Sequence, residues 1–394
     1  MTSRVSCKKQ APELRILQSL AFLAVVLQTA LVYTMNQPNV APEQAVMIGM
    51  FFNFAKFSAP AFIFIVGFTL FYHHEKQVRY QHYIFEKVTE LMIPYLLWSI
   101  IYLIMGHQLP SVSGWAAWKA ILTGSAAPHL WYVVMMFQIH LFFPILFVLF
   151  HWFRQKVNRK QDLYKLMTVF AFAYFLLMWF SSHYIFNGKS LTNSSILKYT
   201  DRSFLFYSFY FIFGGIAAVT LPSWRKFIIK NVPLNTFIFL VLFVVVGYEL
   251  LSFSGITAIH LQASTYLKPS MFLYIISEIM LLYALSMTIV QSRTFVYKIL
   301  QFIGKFTYGS YLAHFFFLHI SAQILQLFSL PSNSLIYAIV LFVCTAVLSI
   351  ATVVALSFIP YGRLVAGPVV KPSLKLPAFS LFPYSEKLKN TKVK

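Results

Sequence analysis

Long apolar runs alternate with short polar connections along the whole chain. Ten such runs stand out, at 16–35, 47–72, 89–105, 131–152, 165–181, 203–221, 235–253, 270–291, 307–328 and 334–360. About 20 apolar residues in a helix reach across ~30 Å of hydrocarbon. Backbone polar groups in lipid must be satisfied within the chain, and a helix does this segment by segment. The pattern therefore predicts an all-α, polytopic membrane helix bundle with about ten transmembrane helices. The 43 Phe and 23 Tyr fit helices packed in lipid better than a polar-lined barrel.

The basic residues divide by connection. The N-terminus, alternate connections and the tail hold 25 of the 31 Lys and Arg, against five in the other connections and Lys56 alone inside a run. This asymmetry predicts both termini in the cytoplasm. It divides the chain into a basic cytoplasmic N-terminus (1–15), a transmembrane domain (16–360) and a basic cytoplasmic tail (361–394) suited to anionic lipid. The first run is too long for the apolar part of a cleavable signal and reads as a signal anchor.

Composition narrows the chemistry. Of 394 residues, 59% are hydrophobic and 10% charged, far from the roughly one-quarter charged of a soluble domain. The net charge of +21 is dispersed among connections, so no nucleic-acid partner is expected. Cys7 and Cys344 lie too far apart in unlike surroundings for a disulfide framework or a cysteine zinc site. No phosphate-binding glycine loop, nucleophile elbow or His-Glu-x-x-His string occurs, and no metal or bound cofactor is expected.

Polar residues inside the runs are the candidates for function, because lipid makes them expensive to keep. Lys56 and Glu278 fall at similar depth in the second and eighth runs, and Glu249 lies near the outer end of the seventh. A neutralising Lys56–Glu278 pair and a substrate or catalytic role both fit that placement. His129 and His183 sit at span ends, while His140, His314 and His319 lie within spans. An isolated intramembrane histidine is more often a neutral packing residue than a catalyst. Trp115 and Trp118, three apart in the 106–130 connection, predict a short interfacial helix. The polar 182–202 connection, with Asn187, Thr192, Asn193, Ser194 and Ser195, is a place where a hydrophilic acceptor could dock.

Five strings carry a resemblance. They are Asn53-Phe54-Ala55-Lys56-Phe57-Ser58-Ala59-Pro60 running on to Gly67-Phe68, Phe85-Glu86-Lys87 with Ile93-Pro94-Tyr95-Leu96-Leu97-Trp98, His129-Leu130-Trp131-Tyr132, Phe211-Ile212-Phe213-Gly214-Gly215, and Tyr308-Gly309-Ser310-Tyr311-Leu312-Ala313-His314. In content and order they resemble signatures of the acyltransferase-3 family of integral membrane acyltransferases, with the nearest likeness to its intercellular-adhesin (IcaC-like) branch. The resemblance implies a bacterial plasma-membrane protein with acyl-CoA, either acetyl-CoA or succinyl-CoA, as donor substrate. It implies a glycan or lipid-linked sugar as acceptor and a polysaccharide synthase complex as a possible partner. By the same resemblance Lys87, Trp131 and Tyr311, joined by the buried Glu278, become candidate substrate-binding residues.

The first span departs from the family. Relatives carry an arginine at its cytoplasmic end and a histidine eleven residues on, about three turns away on one face. One register places Gln18 and Thr29 at those positions, and a second places Arg15 and Val26 there. Neither supplies an imidazole, which in relatives can take the acceptor hydroxyl's proton near neutral pH. Three readings follow. One is an O-acyltransferase with a relocated base, His129 or His314, and Lys56 steadying the developing oxyanion. The second is a glycan export partner whose acyl-transfer site has lapsed. The third is a non-catalytic scaffold for a polysaccharide synthase.

Overall fold

Prolines near the starts of apolar runs set where many of the helices begin. The computed structural model describes residues 11–73, 80–106, 114–156, 160–185, 202–254, 264–328 and 330–368, with Tyr199, Ile259 and Leu261. Among them the regular elements are helical and no strand occurs. In chain order these are α1 (Pro12–Met35), α2 (Pro42–Phe54), α3 (Ser58–His73), α4 (Tyr80–Lys87), α5 (Ile93–Met105), α6 (Gly114–Thr123), α7 (Trp131–Lys156) and α8 (Lys160–Phe180). There follow α9 (Ser208–Val219), α10 (Leu221–Lys230), α11 (Val232–Ser254), α12 (Pro269–Ser292), α13 (Phe295–Ile303), α14 (Thr307–Gln326), α15 (Leu335–Phe358) and α16 (Arg363–Ala366). Helices α1, α2, α5, α10 and α12 each carry proline in their first two positions, where its missing N–H is no loss.

Seven described segments are long and apolar enough to span a bilayer, and an eighth results if Phe204–Val219 and Leu221–Lys230, bent by 106°, count as one span. The chain is thus a multi-pass helical membrane protein. The expected fifth and ninth spans are present as α8 and α14 but fall outside that apolar set. Lys160, Asp162 and Lys165 open α8, and Ser310, His314, His319, Ser321 and Gln323 interrupt α14. The expected helix bearing Trp115 and Trp118 is α6, with both indoles exposed. Asn187, Thr192, Asn193, Ser194 and Ser195, the first ten residues and the tail beyond residue 368 lie outside the described residues.

Interior prolines break two of the spans. Pro60 cannot donate to the Lys56 carbonyl four residues earlier, and the chain passes through a 3₁₀ turn at Ala55–Phe57 between α2 and α3. Pro94 likewise leaves the Glu90 carbonyl without its donor, and a π-helical turn at Val88–Met92 joins α4 to α5.

Helix α1 is the hub. It packs against α3, α12, α13, α14 and α15, and Leu14, Ile16, Leu17, Ala21, Phe22, Val26, Ala30 and Leu31 are fully buried around its circumference. A helix apolar on all sides belongs inside a bundle. Its first turn is fixed by a buried carboxylate. Arg225 of α10 donates to Glu13 Oε1 from Nε at 2.8 Å and from a terminal nitrogen at 2.6 Å, and Tyr283 of α12 donates to the same oxygen at 3.0 Å. Helices α3 and α9 meet backbone to backbone. A Cβ on Gly67 would overlap the Phe211 carbonyl, and one on Gly214 would overlap the Phe64 carbonyl. Small residues permit this close approach in membranes.

Candidate functional site

One face of α1 lines a cavity of about 440 Å³, presenting Val25, Gln28, Thr29, Val32, Tyr33 and Asn36 at helical spacing. Asn36 caps the end of α1, so the cavity occupies the half of the bundle where that helix finishes. Lys56, Ser58 and Phe62 form a second wall, His129, Trp131 and Tyr132 a third, and Tyr266, Tyr311 and His319 complete it. Six sequence candidates therefore converge on one space: Thr29, Lys56, His129, Trp131, Tyr311 and His319.

The two registers on α1 differ in what they present to the cavity. Thr29 borders the cavity, whereas Val26 is fully buried in the helix contacts. Thr29 Oγ1 turns back to donate to the Val26 carbonyl at 2.8 Å, so it offers no proton acceptor comparable to an imidazole. Beside it, Gln28 donates from Nε2 to the Ala55 carbonyl at 2.5 Å and to Ser58 Oγ at 2.7 Å. Gln18, three turns earlier, is half-buried and away from the cavity.

His129 stands in the connection before α7. Its carbonyl accepts from Tyr311 Oη at 2.5 Å, and its ring is walled by Tyr102 and His314, at centroid distances of 5.4 and 4.4 Å. Neither ring nitrogen has a hydrogen-bond partner of good geometry. Burial, with the His314 imidazole beside it, holds His129 well below the ordinary histidine range. His314 is fully buried and does not border the cavity. Its Nδ1 lies 2.5 Å from the Tyr311 carbonyl. That contact requires a proton on Nδ1 and leaves Nε2, which has no partner, as the basic nitrogen.

One expectation needs correction, and two further candidates lie away from this cavity. Lys56 and Glu278 form no ion pair: the Lys56 ammonium sits over the Phe52 and Tyr266 rings, 4.6 and 4.5 Å from their centroids. The 3₁₀ turn that carries Lys56 changes the helical phase there, and Tyr266 reaches in from the connection before α12. Glu278 is buried, has no hydrogen-bond partner of good geometry on either oxygen, and lies off the cavity. Lys87, expected to attract donor phosphate, also lies off the cavity, and its ammonium is already 2.6 Å from Glu90 and 3.9 Å from Glu86.

Tyr266 joins the site without a sequence signal, and His319 joins it in place of His314. Tyr266 belongs to a connection with no motif. His319 follows His314 by five residues, about 140° round the helix, and so reaches the cavity where His314 does not. Its Nδ1 lies 2.9 Å from the Phe315 carbonyl. His140, also a candidate by depth, is a packing residue whose Nδ1 meets Tyr83 Oη at 2.6 Å.

A family model described as an acyltransferase domain, Acyl_transf_3, matches residues 12–354. No curated protein and no solved structure matches significantly. The matched region contains every residue that borders the cavity.

Proposed function

The chain belongs to the acyltransferase-3 family, and on that premise we propose that it moves an acyl group from cytoplasmic acyl-CoA to a hydroxyl of a cell-surface or exopolysaccharide glycan. The donor is acetyl-CoA or succinyl-CoA, and the setting is a bacterial plasma membrane with both termini cytoplasmic. The IcaC-like motifs suggest a polysaccharide synthase as neighbour and O-acylation of a biofilm glycan as outcome. The observation that carries this reading is the convergence of His129 and Lys56 on the cavity that Thr29 also borders.

Relocation of the base accounts for the missing first-span imidazole. Neutral His129 takes the proton of the acceptor hydroxyl as the oxygen attacks the thioester carbonyl. The C–O bond forms, the C–S bond breaks, and the electron pair leaves on the CoA sulfur, which takes a proton. His314, ring to ring with His129 and not bordering the cavity, adds to burial in keeping the base neutral until it takes that proton. The Lys56 ammonium on another wall meets negative charge as it develops. General-base catalysis of this kind contributes about 10²- to 10⁴-fold.

Purified protein in lipid nanodiscs, given acetyl- or succinyl-CoA and a glycan acceptor, should release free CoA thiol and form glycan ester. Release that is absent, or that does not depend on acceptor, overturns the reading. The export alternative draws on Thr29, since a lapsed base is what a translocator would tolerate. It predicts unchanged glycan ester but less glycan outside the cell when the gene is deleted.

A further inference from the structure

Lys56 is a buried cation for which the described residues supply no counter-ion. Its side chain is 8% exposed and borders the cavity. None of the buried or half-buried carboxylates among the described residues pairs with it. Glu249 is held by Lys268 at 2.9 Å and by Ser270 at 2.8 Å, Glu13 is held by Arg225, and Glu278 makes no ion pair. The Phe52 and Tyr266 faces attract the Lys56 ammonium, but ring faces offset only part of what taking it out of water costs.

The remaining surface of the cavity is of a different kind. Trp131, Tyr132 and Tyr266 contribute flat aromatic area, with Trp131 5.7 Å from Tyr207 and 6.4 Å from Tyr266 between ring centroids. Its volume of about 440 Å³ falls within the range of small-molecule sites. Ring faces suit the apolar face of a pyranose, and a single unpaired ammonium among them suits one acidic substituent.

We propose that this cavity binds a sugar unit bearing an acidic group, a carboxylate or a phosphate, whose charge is the missing counter-ion of Lys56. The proposal deepens the acyl-transfer reading by naming the acceptor class, and it rests on that reading only for the ligand being an acceptor. An acidic sugar neutralises a charge that a neutral sugar leaves uncompensated, so the site discriminates between the two by charge and not by shape.

Binding of glucuronic acid, glucose 1-phosphate and glucose to the full chain in phosphatidylcholine nanodiscs tests this, read by ligand-observed NMR and thermal stabilisation. Glucuronic acid, glucose 1-phosphate or both should bind at least ~10-fold more tightly than glucose at low salt. Which of the two is preferred separates carboxylate from phosphate. The preference should disappear in Lys56→Gln, persist in Lys56→Arg, and persist in Lys268→Gln, whose charge lies outside the cavity lining. Should Lys56→Gln fail to fold, the Lys56→Arg and Lys268→Gln arms and the preference of the unaltered chain still decide. Equal binding of all three sugars, binding of none, or a preference that survives Lys56→Gln overturns the proposal. Acceptor-dependent CoA release from the same samples separates the two readings. Release without an acid preference sinks only the charge assignment, and an acid preference without release sinks only acyl transfer.

Discussion

His129 and His314 meet ring to ring, with centroids 4.4 Å apart and planes inclined at 63°, yet only His129 borders the cavity. Their roles should therefore separate on substitution. His129→Gln should lower kcat for CoA release by ~10²-fold or more. His314→Gln, which removes a group behind the base, should lower it by about 10-fold with KM little changed. Steady-state kinetics of both variants checks this, and equal losses would contradict the division of labour.

The pH dependence follows from the burial of His129. Its folded value lies below the ordinary 6.5, with desolvation the larger cause and the His314 imidazole the smaller. A base held neutral in this way stays competent as pH falls through 6.5, so the acid limb of kcat/KM should lie below that value. The same shift affects stability. On acidification the unfolded chain gains the proton before the folded one does, so the contribution of His129 is complete above 6.5 and is lost progressively below it. Profiles of kcat/KM and of thermal unfolding from about pH 4.5 to 8 test both, and a limb centred above 6.5 would count against His129 as the base.

Thr29 occupies the cavity face of α1, and an imidazole placed there would enter the same space as His129. Thr29→His should restore at least ~10-fold of the transfer lost in His129→Gln, measured as CoA release by the double variant. The Val26→His control should restore none, because that position points into the helix contacts and a polar ring there lacks partners.

The α3–α9 crossing has no room for a side chain. Gly67→Ala and Gly214→Ala should each destabilise the fold by about 1–3 kcal/mol, the usual penalty of overpacking, because the obstruction is backbone carbonyl. Gly114→Ala, where nothing lies within 4 Å of the added Cβ, serves as the control. Detergent-solubilised thermal unfolding reads the difference.

The helical character and the positions of the long helices were legible in the sequence because lipid leaves an apolar run few alternatives. The apolar strength of two expected spans was not, because α14 carries its polar residues inward. There Ser310, His314 and Ser321 are fully buried by neighbouring helices, and hydropathy counts them as if they faced lipid. Of the site, Lys56 and His129 were legible as polar residues too costly to keep by accident. The proposed Lys56–Glu278 pair failed because depth along two helices says nothing about rotation around them. Tyr266, supplied by a connection without periodicity, could be found only once the chain was folded.

The 3₁₀ turn at Ala55–Phe57 ties the aim of Lys56 to a different helix. The Ala55 carbonyl, which accepts the Ser58 N–H within the turn, also accepts from the Gln28 side chain, so α1 stabilises the irregularity that turns the ammonium inward. A leucine at position 28 would remove the donor that ties α1 to this turn at both the Ala55 carbonyl and Ser58 Oγ, and so favour regular winding of the second span. The cavity could then lose its charge through a change on a helix that carries none of it, and inheritance of the two positions should be coupled in any descendant that keeps the site.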